Sequence, residues 1–167
     1  RARWAIAVAA LGALAGTLAA ALLRPDPLLA DAQSSPPQSD SIWGQLYHAK
    51  IVDTEAAWRA ALDYRGATTY QQNLARHGLA FSHFRTGEWH KAIAPLEELA
   101  AAGEPTFQAF GIAGLVVAYT ELGDDEQAFY ANQRLSTQAR DRLQETAPRM
   151  AAALDTALDI LMSRSAF

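Results

Sequence analysis

From Trp4 to Leu23 the chain runs twenty residues without a charged side chain, WAIAVAALGALAGTLAAALL. At about 1.5 Å per residue, a helix of that length crosses the roughly 30 Å hydrocarbon core of a bilayer, so the pattern predicts a transmembrane anchor over residues 1–23. Arg1 and Arg3 precede the run and Arg24 follows it. That basic excess puts the N-terminus on the cytoplasmic side and the rest of the chain outside. The competing reading is a secretory signal peptide, because Ala30-Asp31-Ala32 fits a small-x-small cleavage site. The apolar run is longer than the usual stretch of about 7–15 residues, which favours a retained anchor.

Over 24–40 the pattern becomes polar, with four prolines and no apolar period, as in an extended linker. From 41 to 163 apolar positions recur at helical spacing. Alanine and leucine are frequent there, and breaks fall at Arg65-Gly66, Thr86-Gly87, Gly103-Glu104-Pro105 and Leu122-Gly123. The pattern predicts helices over 41–51, 54–65, 68–85, 88–102, 105–121, 124–144 and 147–163, with a short tail at 164–167. Pro105 and Pro148 suit first-turn positions, where a missing N–H costs nothing. The expected fold class is all-α: a transmembrane helix, a linker, and a short solenoid of helical hairpins.

The hairpins repeat. HFRTGEWHKA, His83 to Ala92, is echoed by AYTELGDDEQA, Ala118 to Ala128. In each, an alanine follows the glycine by five residues, and Ala57, Ala92 and Ala128 are spaced by 35 and 36. A period of this size marks a helical solenoid. On these residues the chain resembles the tetratricopeptide repeat (TPR) family, whose unit of about 34 residues follows W-x2-L-G-x2-Y, then A-x3-F, then P. In the second unit Leu79-Ala80 stands for Leu-Gly, His83 for Tyr, Gly87 for the turn, and Ala92, Leu96 and Pro105 for Ala, Phe and Pro. In the third, Leu115-Val116, Tyr119, Gly123 and Ala128 match. The first is weaker: Leu46, His48 and Ala57 fit, but the turn at Val52-Asp53 lacks glycine. The last predicted helix would cap the stack.

The resemblance implies a concave groove lined by the first helix of each pair and used to bind protein or peptide. Its register selects Ile42, Leu46 and Lys50 from the first unit, His77, Phe81, Phe84 and Arg85 from the second, and Val117, Thr120 and Glu121 from the third. Ala49, Leu74, Phe110 and Ala113 share that register. The Lys/Asn set with which some relatives clamp a C-terminal carboxylate is missing. Phenylalanines at helical spacing also suit a buried core, so Phe81, Phe84 and Phe110 carry both readings.

Composition narrows the function. Eighteen acidic against 14 basic residues leave a net charge of −4, and no two basic residues are adjacent. Nucleic acid is excluded as an expected partner, since binding phosphates needs a clustered basic face. The absence of cysteine rules out disulfides, Cys-ligated zinc and a thiol nucleophile. His83 and His90 flank Glu88, but they stand seven residues apart with Gly87 between, not at the i, i+4 spacing that aims two imidazoles at one metal. Neither metal nor cofactor is expected. No G-x-S-x-G, phosphate-cradling loop or H-E-x-x-H occurs, so an enzymatic role is not expected either. Asp124-Asp125-Glu126 suits the positive end of a helix and needs no catalytic role.

Gly12 and Gly16 form G-x-x-x-G, which lets a second transmembrane helix approach closely. An alanine-rich segment also produces such small-residue pairs by chance. The function expected is a membrane-anchored TPR-like scaffold for protein–protein interaction, serving as an accessory or assembly subunit of a larger membrane protein complex. Its partners would be other membrane protein subunits or an extracytoplasmic protein or peptide. The alternative is a tethered periplasmic module that recruits a peptide or protein. Alanine and arginine usage points to a bacterial inner membrane, crossed once, with the soluble domain in the periplasm; a mitochondrial inner membrane is the second choice.

Overall fold

A computed structural model describes residues 38–165. Among them are eight helices and no strand: α1 (Ile42–Val52), α2 (Glu55–Leu62), α3 (Thr69–Thr86), α4 (Trp89–Ala100), α5 (Pro105–Leu122), α6 (Asp125–Gln133), α7 (Thr137–Thr146) and α8 (Pro148–Ser165). None of these helices is long and apolar enough to cross a membrane. The expected anchor at 1–23, with Gly12 and Gly16, and nearly all of the linker lie outside the described residues.

Polar side chains start the helices by accepting from orphan first-turn N–H groups. Ser41 Oγ accepts from Gly44 N at 3.1 Å and Thr54 Oγ1 from Ala57 N at 3.3 Å. Thr68 and Gln71 form a reciprocal capping box at α3. Glu104 accepts from Thr106 N and Phe107 N with Pro105 at the first helical position, as the sequence predicts. Asp124 accepts from Gln127 N at the start of α6, the structural role read for this acidic run.

The turns explain the weak first unit. α3 and α5 end on Gly87 (φ 71) and Gly123 (φ 75), left-handed positions that glycine takes without steric cost. α1 ends on Asp53 at φ 48, the one non-glycine residue with positive φ among the described residues. Asp53 does there what glycine does in the other turns, because a short polar side chain tolerates this region.

One predicted helix is two. The span 124–144 breaks after Gln133, and Ser136 caps a new helix by accepting from Ala139 N at 3.2 Å. Leu135 turns into the core at the break, and Arg140 Nη2 spans it to Asn132 Oδ1 at 2.6 Å. A buried leucine and a capping serine together outweigh the continuity that helical propensity suggested. The span 54–65 is shortened likewise, ending at Leu62 before a turn with Gly66 at φ 84.

From α1 to α6 each helix packs against the next, and α7 packs against α8, with further contacts of α1 on α3 and of α3 on α5. Two cores result. The smaller joins Leu46, Ala49, Ala57, Trp58, Ala61, Ala75 and Leu79. The larger is built around α5, which touches α3, α4, α6, α7 and α8. Ala80 and Ala92 are both fully buried in it, the close α3–α4 approach that small residues permit. Leu96 and Leu99 fill the space between hairpins, and burying each is worth about 2 kcal/mol.

Candidate functional site

α1 and α3 are first helices of adjacent hairpins, and between them lies a groove of about 620 Å³. Trp43, Leu46, Tyr47 and Lys50 of α1 form one wall; Leu74, His77, Gly78 and Phe81 of α3 form the other; Trp58 of α2 and Asp53 close the floor. A second hollow of about 280 Å³ shares Leu74 and His77 and continues past Tyr70 and Phe107 to Ala147. The concave face therefore runs from α1 across α3 to the start of α5 and the α7–α8 turn.

The floor is fixed. Trp58 is buried and donates its indole N–H to Asp53 Oδ1 at 2.9 Å. It lies so close to Gly78 that a Cβ there would fall 2.3 Å from the indole ring, so only glycine allows α2 and α3 this approach. Asp53 holds the other side as well. Its Oδ2 pairs with Arg85 at 2.7 Å, and its carbonyl accepts from Ser82 Oγ and Arg85 Nη2, both at 3.2 Å.

The rim is aromatic and open. Trp43 is 56% exposed, Tyr47 68% and Phe81 41%. Lys50 is exposed and makes no ion pair among the described residues, whereas the Asp53 carboxylate is already matched. His77 stacks on Phe110 with ring centroids 4.1 Å apart, and its burial lowers its pKa, so the imidazole is neutral at pH 7. The groove presents apolar surface with one unmatched positive charge.

Of the residues the sequence selected, Leu46, Lys50, His77 and Phe81 meet in this groove, with Leu74. Ile42 is half-buried against the small core. Phe84 turns away to pack on Trp89, centroids 5.2 Å apart, and Arg85 is engaged by Asp53. Glu121 is exposed but lines neither hollow. Val117 and Thr120 are corrected from groove to core: both are buried, and Thr120 Oγ1 donates to the Val116 carbonyl at 2.8 Å. The cause is α8, which packs on α5 and ties down its end through Arg164, whose Nη1 donates to the Thr120 carbonyl at 3.1 Å and pairs with Asp125 at 2.8 Å. Phe110, Ala113 and Ala49 are core as well.

Sequence reasoning missed the two most exposed wall residues, Trp43 and Tyr47, by taking a register rotated by about one residue on α1. Their signal was available: Trp43, Tyr47 and Ile51 recur at i, i+4 and i+8 as an apolar stripe opposite the buried Leu46 and Ala49.

A separate polar cluster joins α2, α3 and α4. Ligand atoms of Glu55, His83 and Glu88 lie within 4.8 Å of one another, a grouping that the spacing of the histidines concealed. Glu88 accepts from Lys91 at 2.6 Å, from the buried His83 Nδ1 at 3.1 Å and from Thr86 at 3.2 Å, and Lys91 also reaches Glu55 at 3.5 Å. These hydrogen bonds, that of Lys91 first, hold the Glu88 carboxyl down at about 2. The ammonium thus supplies between the two carboxylates the charge a metal would bring, and the cluster reads as a clasp between hairpins.

No protein family, curated protein or solved structure matches this chain.

Proposed function

We propose that this chain is a membrane-anchored, TPR-like scaffold that grips a partner protein in the α1–α3 groove. It serves as an accessory or assembly subunit of a larger membrane protein complex in a bacterial inner membrane, its helical domain in the periplasm. The observation that carries this reading is the groove: Trp43, Tyr47 and Phe81 stand open around an apolar hollow whose carboxylate is already paired. Open aromatic side chains around a concavity are where a protein partner buries its anchor residues. The 35 and 36 residue spacings support the TPR-like repeat, and the uncharged run with Gly12 and Gly16 supports the membrane part.

The test is purification of the full chain from its own membrane in mild detergent, with mass spectrometry of what stays bound. Two variants run beside it: Tyr47→Ala with Phe81→Ala, and Gly12→Ile with Gly16→Ile. A stoichiometric set of integral membrane subunits is expected, and each variant should lose part of it. Recovery of the wild-type chain alone overturns the subunit reading; a full set in the Tyr47/Phe81 variant overturns the groove.

A further inference from the structure

The stripe on α1 extends beyond the groove. Trp43, Tyr47 and Ile51 face outward on successive turns, Ile51 67% exposed, and no other described helix covers them. A row of large apolar side chains left open on a helix marks an interface. The charges at its ends say which kind. Asp40 sits just before the helix and Lys50 in its last turn, both exposed, and neither forms an ion pair among the described residues.

Asp40 is not on a loose end. Ser39 N donates to Gln45 Oε1 at 2.8 Å, and Tyr64 Oη donates to the Ser39 carbonyl at 3.3 Å, so the backbone beside Asp40 is held against the head of α1. The stripe thus has a fixed acidic end and a fixed basic end. Laid antiparallel on its own copy it becomes self-complementary: Asp40 meets Lys50 of the other copy and Trp43 meets Tyr47. Both pairings are centred on the level of residue 45, so one two-fold axis satisfies them together. A parallel alignment would set Lys50 against Lys50 and Asp40 against Asp40.

We infer that α1 pairs antiparallel with α1 of a second copy of this chain, about a two-fold axis at the level of residue 45, through Trp43–Tyr47 contacts flanked by Asp40–Lys50 ion pairs. Such an isologous contact is the commonest form of self-association. One helix face buries well under the roughly 1,000 Å² of a stable interface, so the dimer is weak and forms where the chain is concentrated. This inference goes beyond the scaffold reading and needs no other protein. Because Trp43, Tyr47 and Lys50 also wall the groove, pairing and partner binding compete for the same face.

The chain has no cysteine, which makes disulfide trapping specific. Full chains carrying Trp43→Cys and Tyr47→Cys are co-expressed and oxidised in mild detergent, with Thr156→Cys, exposed on α8, as the control. The 43–47 bridge is expected to form about tenfold faster than the 156–156 bridge, because only the former sits within disulfide reach across the axis. Asp40→Lys or Lys50→Asp alone should each slow it by about fivefold, and the two together should restore it, because the swapped pair attracts again. A 43–47 bridge no faster than the control overturns the inference, and so does a double swap as slow as the single ones. Because trapping reads α1 alone, association through the expected membrane helix does not imitate the result.

Discussion

α1 and α5 stand at equivalent places in their hairpins, each the first helix of a pair, and they meet opposite fates. α5 is enclosed by α3, α4, α6, α7 and α8, and every residue from Phe110 to Ala118 is buried. Among the described helices α1 packs on α2 and α3, and it leaves Trp43, Tyr47, Lys50 and Ile51 exposed. The same repeat register therefore names a surface at one end of the stack and a core in its middle. The helices differ in length and apolarity, and so does what comes after them, since α8 folds back over α5 and among the described residues nothing does so over α1. A solenoid exposes its inner face only where the chain declines to cover it.

This contrast can be broken most strongly at Leu96, fully buried against α5. Leu96→Ala should cost about 2–5 kcal/mol in urea unfolding, whereas Tyr47→Ala should stay within about 0.5 kcal/mol. Equal costs would mean that α1 is as enclosed as α5. Next in size is Gly78→Ala, whose Cβ would strike Trp58 and push the groove floor outward. A loss of about 1–3 kcal/mol is expected, together with a shift in tryptophan fluorescence. An unshifted spectrum would detach Trp58 from the floor.

The smallest effect concerns the Glu88 clasp. Its folded pKa of about 2 lies below the ordinary 4.5, so its contribution is fully present above about pH 4.5 and is lost as pH falls toward 2. Glu88→Gln should flatten stability across that window by lowering the neutral side, and leave the acid side little changed. Added salt should shrink the wild-type slope, because Glu88 and its strongest partner Lys91 are open to solvent. A wild-type slope that survives in Glu88→Gln would assign the acid limb to other carboxylates.

Helical content, most turns and the packing alanines were legible because each has a local signal: Gly87 and Gly123 for left-handed ends, Pro105 for a first turn, Ala80 and Ala92 for close approach. Ser136 was legible too, yet the helix-favouring residues around it outweighed a single cap. The groove was only half legible. Leu46, Lys50, His77 and Phe81 followed from register, but the burial of Val117 and Thr120 depends on a helix some forty residues away, and no local pattern reports that. Asp53 shows a third case. Its turn looked defective without glycine, whereas the carboxylate that replaces it binds Trp58 and Arg85 and so ties the groove floor to α3.

The return of α8 onto α5 also has a consequence in time. During synthesis α1, α2 and α3 can close the small core from neighbours already made, since its members all lie before residue 80. The large core cannot close this way. Val116 shares that core with Met150, Leu154 and Ala157, and the tie from Arg164 to Thr120 spans 44 residues. The face of the central helix that α8 covers therefore stays open until α8 has emerged. Loop closure on that scale makes the final step the slow one, and it is in that interval that the chain depends most on being shielded from its neighbours.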